Sequence, residues 1–233
     1  EDYFYATITE VGEGYIQTSE ETKVPTTGWK YLINQTVFDG NDGSTTHLIY
    51  VNNTSLTVNG VSFVNHGSTC AHLRKSFVTV LRSIFYDVKG VTSEDTMLTL
   101  NRCAFIECQS VWSYSYMGIV GPWYGSSLYC TNTVIDASDT SNGICSMYNC
   151  QVSVEYSGVF GCTKAVSNVA SSDSFNLTSC YIDSSCTYGA YGYNITLVSC
   201  TNNAATPVYN RTSGGSIEEW DGQALPSIDD ATG

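Results

Sequence analysis

Apolar and polar residues alternate with a period of two in eight short segments of the chain, and these segments share a longer pattern. In each segment the first and third of eight positions are apolar and the sixth is small, while the eighth is Phe, Ile or Val until Asn202 breaks the pattern. Because period-two alternation is typical of half-buried strands, each segment predicts a strand, a bend and a second strand. The segments are YLINQTVF (31–38), LTVNGVSF (56–63), VTVLRSIF (78–85), LTLNRCAF (98–105), LYCTNTVI (128–135), VSVEYSGV (152–159), FNLTSCYI (175–182) and ITLVSCTN (195–202).

Successive segments begin 20 to 30 residues apart, which is the spacing of repeat architectures. The Leu and Asn ladder of leucine-rich repeats is absent, and a coil that returns to the same place would stack the first, third, sixth and eighth positions inward. The pattern predicts an all-β fold, a parallel β-helix (β-solenoid) of about eight or more coils. We expect residues 31–205 to form the solenoid, residues 1–30 an N-terminal cap or first coil, and residues 206–233 a C-terminal cap or tail with Trp220 as a hydrophobic plug.

Composition supports this fold class and excludes several partners. The 233 residues are 42% hydrophobic and 13% charged, without the Ala, Leu, Glu and Lys content of long helices. The net charge of −13, with nine Lys and Arg, argues against nucleic acid and anionic membrane surfaces, because both require basic patches. No apolar run approaches 18 residues, so we expect no membrane insertion in this segment.

Ten cysteines and three histidines limit the possible chemistry. No CxxC pair occurs, so zinc-ligand spacing is missing, and we expect disulfides rather than a metal and no cofactor. Cys180 and Cys200 share one inward position in successive coils and could bridge two turns or stack as thiols. A catalytic cysteine is disfavoured because only His72, two residues after Cys70, lies near one. The disulfide candidates are Cys103, Cys108, Cys145, Cys150, Cys180, Cys186 and Cys200.

Sequons of the form Asn-x-Ser/Thr point to the compartment. Two of them fall at outward positions of the repeated segment and a third immediately precedes a segment, so glycans there would face solvent. We therefore expect an extracellular or cell-surface glycoprotein. The candidate glycosylation sites are Asn34, Asn52, Asn53, Asn176, Asn194 and Asn210.

The longest spacing between segments contains an aromatic insertion, VWSYSYMGIVGPWYGSS (111–127). Aromatic rings with a polar handle suit sugar stacking or protein contact, and a longer loop is where solenoids often place function. The alternative is that the rings only cover the coil, and the same choice applies to a second cluster at Tyr188, Tyr191 and Tyr193. The candidate binding residues are Trp112, Tyr114, Tyr116, Trp123 and Tyr124.

Residues 36–68 read TVFDGNDGSTTHLIYVNNTSLTVNGVSFVNHGS. The FDGN turn, the apolar strand after it and the LTVNGVSFVN coil resemble the opening coils of right-handed parallel β-helix (pectate-lyase-like) proteins, especially the polymorphic-outer-membrane-protein-like surface proteins. This resemblance implies a right-handed helix and a surface location. The GGA-plus-aliphatic and Phe-x-x-Asn motifs of the bacterial family are not reproduced, and neither is the Asn-Thr-Asp motif of polygalacturonase-like hydrolases.

Catalysis by this fold would need two carboxyl groups at a fixed separation. Asp136 and Asp139 are the best candidates, followed by Asp39 and Asp42, but all four also suit turns, where aspartate bonds to the local backbone.

Two functions therefore compete. The favoured one is a non-catalytic adhesion protein or structural subunit of an extracellular fibre or coat, whose partners are itself, through end-to-end assembly, or other surface glycoproteins and glycans. The alternative is a polysaccharide lyase or glycoside hydrolase that uses the Asp136 pair or the side bearing Arg74, Arg82 and Arg102 as its groove.

Overall fold

The computed structural model describes residues 8–12, 15–18, 36–39, 47–110, 117–137, 141–210 and 217–219, and these form strands and turns without a helix. In chain order the strands are β1 (Ile8–Gly12), β2 (Tyr15–Thr18), β3 (Thr36–Asp39), β4 (Ile49–Asn52), β5 (Ser55–Asn59), β6 (Val61–Arg74), β7 (Phe77–Leu81), β8 (Ile84–Glu94), β9 (Met97–Asn101), β10 (Ala104–Cys108), β11 (Gly118–Trp123), β12 (Ser127–Thr131), β13 (Val134–Ala137), β14 (Asn142–Ser146), β15 (Gln151–Glu155), β16 (Gly158–Phe160), β17 (Lys164–Asn168), β18 (Ser174–Thr178), β19 (Tyr181–Ile182), β20 (Tyr188–Gly192), β21 (Ile195–Asn202), β22 (Thr206–Asn210) and β23 (Ile217–Glu219).

Strands β1 and β2 form an antiparallel pair, and all other pairings are parallel between consecutive coils. The chain thus winds as a parallel β-solenoid of about seven turns, which confirms the predicted fold. Each coil carries three strands, not the two that the sequence pattern predicts. The first sheet contains β5, β7, β9, β12, β15, β18, the start of β21, and β23. The second contains β3, the starts of β6 and β8, β10, β13, β16, β19 and the end of β21; the third contains β4, the ends of β6 and β8, β11, β14, β17, β20 and β22.

The strand register places equivalent positions of the predicted segments directly above one another. The eighth position forms an inward column of rings, in which Phe85 is 1% exposed and its centroid lies 4.9 Å from that of Phe63 and 4.4 Å from that of Phe105. Aliphatic residues continue this column in the later coils, so one apolar stack runs along the core. In order, the column is Phe38, Phe63, Phe85, Phe105, Ile135, Val159, Ile182 and Asn202.

The fifth and sixth positions make the corner between the first and second sheets. The fifth residue adopts the left-handed backbone conformation in seven coils, as Arg82 (φ 46°) and Asn132 (φ 49°) illustrate. The sixth side chain then satisfies the backbone of the corner: Thr133 Oγ1 donates to the Thr131 carbonyl at 3.0 Å and accepts the Cys103 N–H of the neighbouring coil at 3.4 Å. The same two contacts link consecutive coils elsewhere, so the small sixth residues form a hydrogen-bonded ladder, called here the corner ladder. Its members are Ser83, Cys103, Thr133, Ser157, Cys180 and Cys200.

The predicted disulfides are not present, because all ten cysteines are buried free thiols. Three of the candidates belong to the corner ladder, where a thiol takes the place of a serine or threonine hydroxyl; Cys180 Sγ, for example, donates to the Thr178 carbonyl at 3.3 Å. Cys108 Sγ donates in the same way to the Phe85 carbonyl at 3.2 Å. Burial raises the pKa of Cys103 and of Cys108 to about 12, so these thiols are unreactive at neutral pH. The candidates that exist as thiols are Cys103, Cys108, Cys145, Cys150, Cys180, Cys186 and Cys200.

Both ends of the described solenoid extend the parallel pairing. β22 and β23 lie in the region expected to be a cap or tail, and they pair with β20 and β21. Within the described ranges, β3, β4 and β5 at one end and β22 and β23 at the other each have one pairing partner. Trp220 and most of residues 1–30 lie outside the described residues.

Candidate functional site

The outward side of the first sheet is nearly free of charge. Strands β5, β7, β9, β12, β15, β18 and the start of β21 present twenty outward positions, none of them buried, and Glu155 is the single charged residue among these. Ten positions are Ser or Thr and four are Asn or Gln. Charged residues make up 13% of the chain, so twenty positions of average composition would carry between two and three of them, and this face carries one. We call it the neutral face.

The middle of the neutral face is a row of hydroxyl and amide side chains, one from each coil. The residues are in register, so their spacing along the solenoid is the strand separation of about 4.8 Å. The side chains thus form a regular array of hydrogen-bonding groups on a rigid sheet. The row is Thr57, Thr79, Thr99, Tyr129, Ser153, Asn176 and Thr196.

One edge of the neutral face carries a large exposed apolar side chain in each of four successive coils. Phe77 and Met97 stand in register at the beginning of β7 and β9 and are 64% and 43% exposed. Tyr124 and Tyr148, at the adjoining corner of the next two coils, are 51% and 47% exposed, and their rings stack with centroids 5.0 Å apart. We call Phe77, Met97, Tyr124 and Tyr148 the apolar strip; such aligned exposure is typical of a contact surface.

The aromatic insertion predicted from the sequence is partly described. Tyr124 belongs to the apolar strip, whereas Trp123 is half-buried on the third sheet, and its ring centroid lies 6.0 Å from that of Tyr124. Trp112, Tyr114 and Tyr116 lie outside the described residues.

Phe77, Met97 and Tyr148 were not among the residues predicted from the sequence. The signal for Phe77 and Met97 is an apolar residue immediately before the apolar first position of a segment, where strict alternation requires a polar one. No comparable pattern marks Tyr148.

A second group of polar and aromatic side chains lies on the third sheet of the first coils. Arg74 Nε lies 2.9 Å from Glu94 Oε2, and Arg74 Nη2 donates to Glu94 Oε1 at 3.2 Å. The ring of His72 lies 5.1 Å from that of His47 and 5.7 Å from that of Tyr50, measured between centroids. Burial lowers the pKa of both histidines from the ordinary value of 6.5, so both rings are neutral at pH 7. Arg74 is thus paired with Glu94 through two contacts.

The three arginines proposed for a lyase groove do not share one side of the coil. Arg82 and Arg102 lie at the corner between the first and second sheets, whereas Arg74 lies on the third sheet. Arg82 Nε donates to Asn59 Oδ1 at 3.1 Å.

Asp136 stands at the end of β13 near the corner between the second and third sheets. Burial raises its pKa, and the charges of Glu107 and Asp183 raise it further. Asp183 accepts from the Tyr181 hydroxyl at 3.0 Å and from the Ser185 hydroxyl at 2.7 Å, as a turn aspartate does. Asp139 and Asp42, the proposed carboxylate partners of Asp136 and Asp39, lie outside the described residues.

The remaining tyrosine cluster contains Tyr188 and Tyr191 together with Tyr209. The rings of Tyr191 and Tyr209 stack at 4.8 Å, and the Lys164 ammonium lies 4.4 Å from the centroid of Tyr191. These rings mainly contact one another, which favours a packing role.

Four of the six glycosylation acceptors are described with their side chains, and all four are exposed: Asn52, Asn53, Asn176 and Asn194. Asn176 lies on the neutral face itself, in β18. Asn34 lies outside the described residues, and Asn210 ends β22.

No protein-family model, curated protein or solved structure matches the chain, so the resemblance to pectate-lyase-like surface proteins extends to the parallel β-helix fold alone. The described residues contain no group of three or more His, Cys, Asp or Glu side chains that could hold a metal ion. They also contain no helix of the length and hydrophobicity needed to cross a membrane.

Proposed function

We propose that this protein is a non-catalytic secreted or cell-surface glycoprotein that acts in adhesion, with the neutral face and its apolar strip as the contact surface. The apolar strip carries the proposal, because four large apolar side chains in successive coils are held in solvent by a rigid sheet. A preformed surface binds with little loss of conformational entropy, so a flat sheet of this kind suits repeated, multivalent contacts.

The same architecture offers a route to assembly. Among the described residues, the strands at each end of the solenoid have one pairing partner, and a strand of this kind can pair with a strand of another chain. End-to-end stacking of copies would align the neutral faces into one longer surface, and the protein would then be a subunit of an extracellular fibre or coat.

Exposed sequons support the surface location, because glycans at Asn52, Asn53 and Asn194 would project from the coil without disturbing its core.

The adhesion proposal is tested by measuring binding of the purified protein to immobilised copies of itself and to a panel of immobilised glycans. We expect the triple variant Phe77→Ser, Tyr124→Ser, Tyr148→Ser to lose binding to its target. The control Tyr209→Ser removes a tyrosine of similar exposure, 46%, from the third sheet and should bind as the unmodified protein does. Equal binding by the strip variant and the control would refute the contact surface, and electron microscopy of the same samples would show whether copies form filaments.

One observation favours the enzymatic alternative, namely the raised pKa of Asp136 beside Glu107 and Asp183. A carboxyl group with a raised pKa is the form that a general acid requires. If the protein releases reducing ends or unsaturated products from a polysaccharide, and Asp136→Asn abolishes that release while the variant remains folded, the alternative replaces the adhesion proposal.

A further inference from the structure

We infer that the neutral face binds an uncharged polysaccharide laid along the solenoid axis. The inference rests on the proposed function and names the class of ligand that the contact surface accepts. It depends on three features of the face: its lack of charge, its regular spacing, and its limited area.

The distribution of charge around the first sheet selects an uncharged partner. Lys75 and Asp95 lie at one corner of the first sheet, and Arg82 and Arg102 lie at the other. The twenty outward positions between these corners include one charged residue, Glu155. Arg82 reaches only the edge of the face, where its Nε donates to Asn59 Oδ1 at 3.1 Å. Apart from that edge and Glu155, a polyanion or a polycation would leave its charges opposite groups that cannot pair with them. Sugar hydroxyls, in contrast, both donate and accept, as do the Ser, Thr, Asn and Gln side chains of the face.

The spacing of the face suits a polymer that itself repeats. Each coil offers a hydroxyl or amide group in the central row at intervals of about 4.8 Å, so successive sugar units would meet equivalent partners. The rings of Phe77 and Tyr129, which are 64% and 44% exposed, provide apolar surface for the C–H faces of sugar rings. Many weak contacts of this kind along one chain add up through a high effective concentration.

The area of the face argues against a second copy of the protein as the main occupant. Seven strands at about 4.8 Å span about 29 Å, and five residues at about 3.3 Å span about 17 Å, which gives about 500 Å². A stable protein interface buries about 800 Å² of accessible surface on each partner, so a second copy seated here would also have to contact residues beyond the face. The face is large enough for several sugar units.

Asn176 limits where the polysaccharide lies. A glycan on this exposed asparagine would cover the part of the face that β18 and β21 form. The coils from β7 to β15 would remain open, and these contain the exposed side chains of Phe77, Met97 and Tyr129. We therefore place the ligand on these coils.

The test is gel electrophoresis of the native, full-length protein in gels that contain hydroxyethyl cellulose, yeast mannan, laminarin or, as an acidic comparison, polygalacturonate. Thr99→Glu places a charge in the centre of the face. The control Thr187→Glu makes the same replacement at an exposed position outside the first sheet. We expect at least one neutral polymer to retard the unmodified protein and the control equally, and Thr99→Glu to raise the apparent Kd at least about tenfold. Retardation should persist up to about 0.5 M salt, because no ion pair is involved.

Each other outcome overturns the inference in a recognisable way. Retardation by polygalacturonate alone, abolished by salt and by Arg82→Gln with Arg102→Gln, would assign an acidic ligand to the corner. Equal retardation of the two glutamate variants would move the site away from the neutral face. If no polymer retards the protein while strip-dependent binding to itself persists, the polysaccharide inference fails and the adhesion proposal stands.

Discussion

The corner ladder predicts that Thr133 can be replaced by cysteine but not by valine. Thr133 is fully buried, and its Oγ1 is an acceptor for the Cys103 N–H at 3.4 Å and a donor to the Thr131 carbonyl at 3.0 Å. Valine has nearly the shape of threonine, so Thr133→Val removes the hydroxyl without opening a cavity. The change therefore isolates the hydrogen bonds.

The expected loss of stability depends on which hydrogen bonds the Thr131 carbonyl and the Cys103 N–H keep after the substitution. The Thr131 carbonyl keeps a donor, the Arg102 N–H at 3.1 Å, so its loss is partial. The Cys103 N–H loses its acceptor in the neighbouring coil, and a buried unsatisfied donor costs about 1–3 kcal/mol. The extra buried methyl group offsets part of this by about 0.8 kcal/mol. We expect Thr133→Val to lower the free energy of unfolding by about 2 kcal/mol.

The measurement is urea unfolding followed by far-ultraviolet circular dichroism, with a reductant that keeps the thiols free. Thr133→Cys is the matched control, because Cys103, Cys180 and Cys200 occupy the equivalent position in other coils. It should remain within about 1 kcal/mol of the unmodified protein. The ladder has no energetic role if the Thr133→Val protein is as stable as the unmodified one. If Thr133→Cys destabilises as much as Thr133→Val, a thiol does not replace the hydroxyl at this position.

Three further predictions concern the core, the response to pH and the surface. Phe85→Ala should lower the free energy of unfolding by about 4 kcal/mol, because Phe85 is buried between two rings. Phe38→Ala should lower it by about half as much, because Phe38 is half-buried at the end of the column. Equal losses of stability would contradict the stacked core. Burial lowers the pKa of His66 below its ordinary value of 6.5 in the folded protein. As the pH falls, the unfolded chain therefore binds a proton at His66 before the folded protein does, and the free energy of unfolding decreases. His66→Gln should therefore lose less stability than the unmodified protein between about pH 7 and pH 5, and identical losses would show that His66 is not responsible. Mass spectrometry of the protein produced through the secretory pathway of a eukaryotic host should find a glycan on Asn176 that Asn176→Gln removes, and an unmodified Asn176 would leave the whole neutral face open.

The predicted inward columns were correct because each coil must bury the same positions. Leu98 and Phe105 are buried for the same reason as their equivalents one coil away, so a repeated apolar pattern is sufficient to identify them. The third strand of each coil was missed since the segment between the eighth position and the next first position varies in length, and its apolar residues do not recur at fixed intervals.

The cysteines and the contact surface show where sequence reasoning ends. A cysteine that donates to a corner carbonyl, as Cys180 does, has the same sequence signal as one in a disulfide, because both are small and buried. Phe77 and Met97 are apolar but point outward, and only the strand register shows that they lie side by side. The low charge of the neutral face becomes clear only when the outward positions of all seven strands are taken together.

The corner ladder has a consequence for how such a protein can change over generations. From Phe77 to Met97 the chain completes one coil in 20 residues. Each coil junction repeats the same hydrogen bonds, since the Cys103 N–H donates to Thr133 Oγ1 and the Thr133 N–H to Ser157 Oγ. A gene that duplicated or lost one such unit would join equivalent corners and leave the core continuous. The length of the rod, and with it the number of contacts it can make, would then vary in whole units while the chemistry of each contact stayed the same.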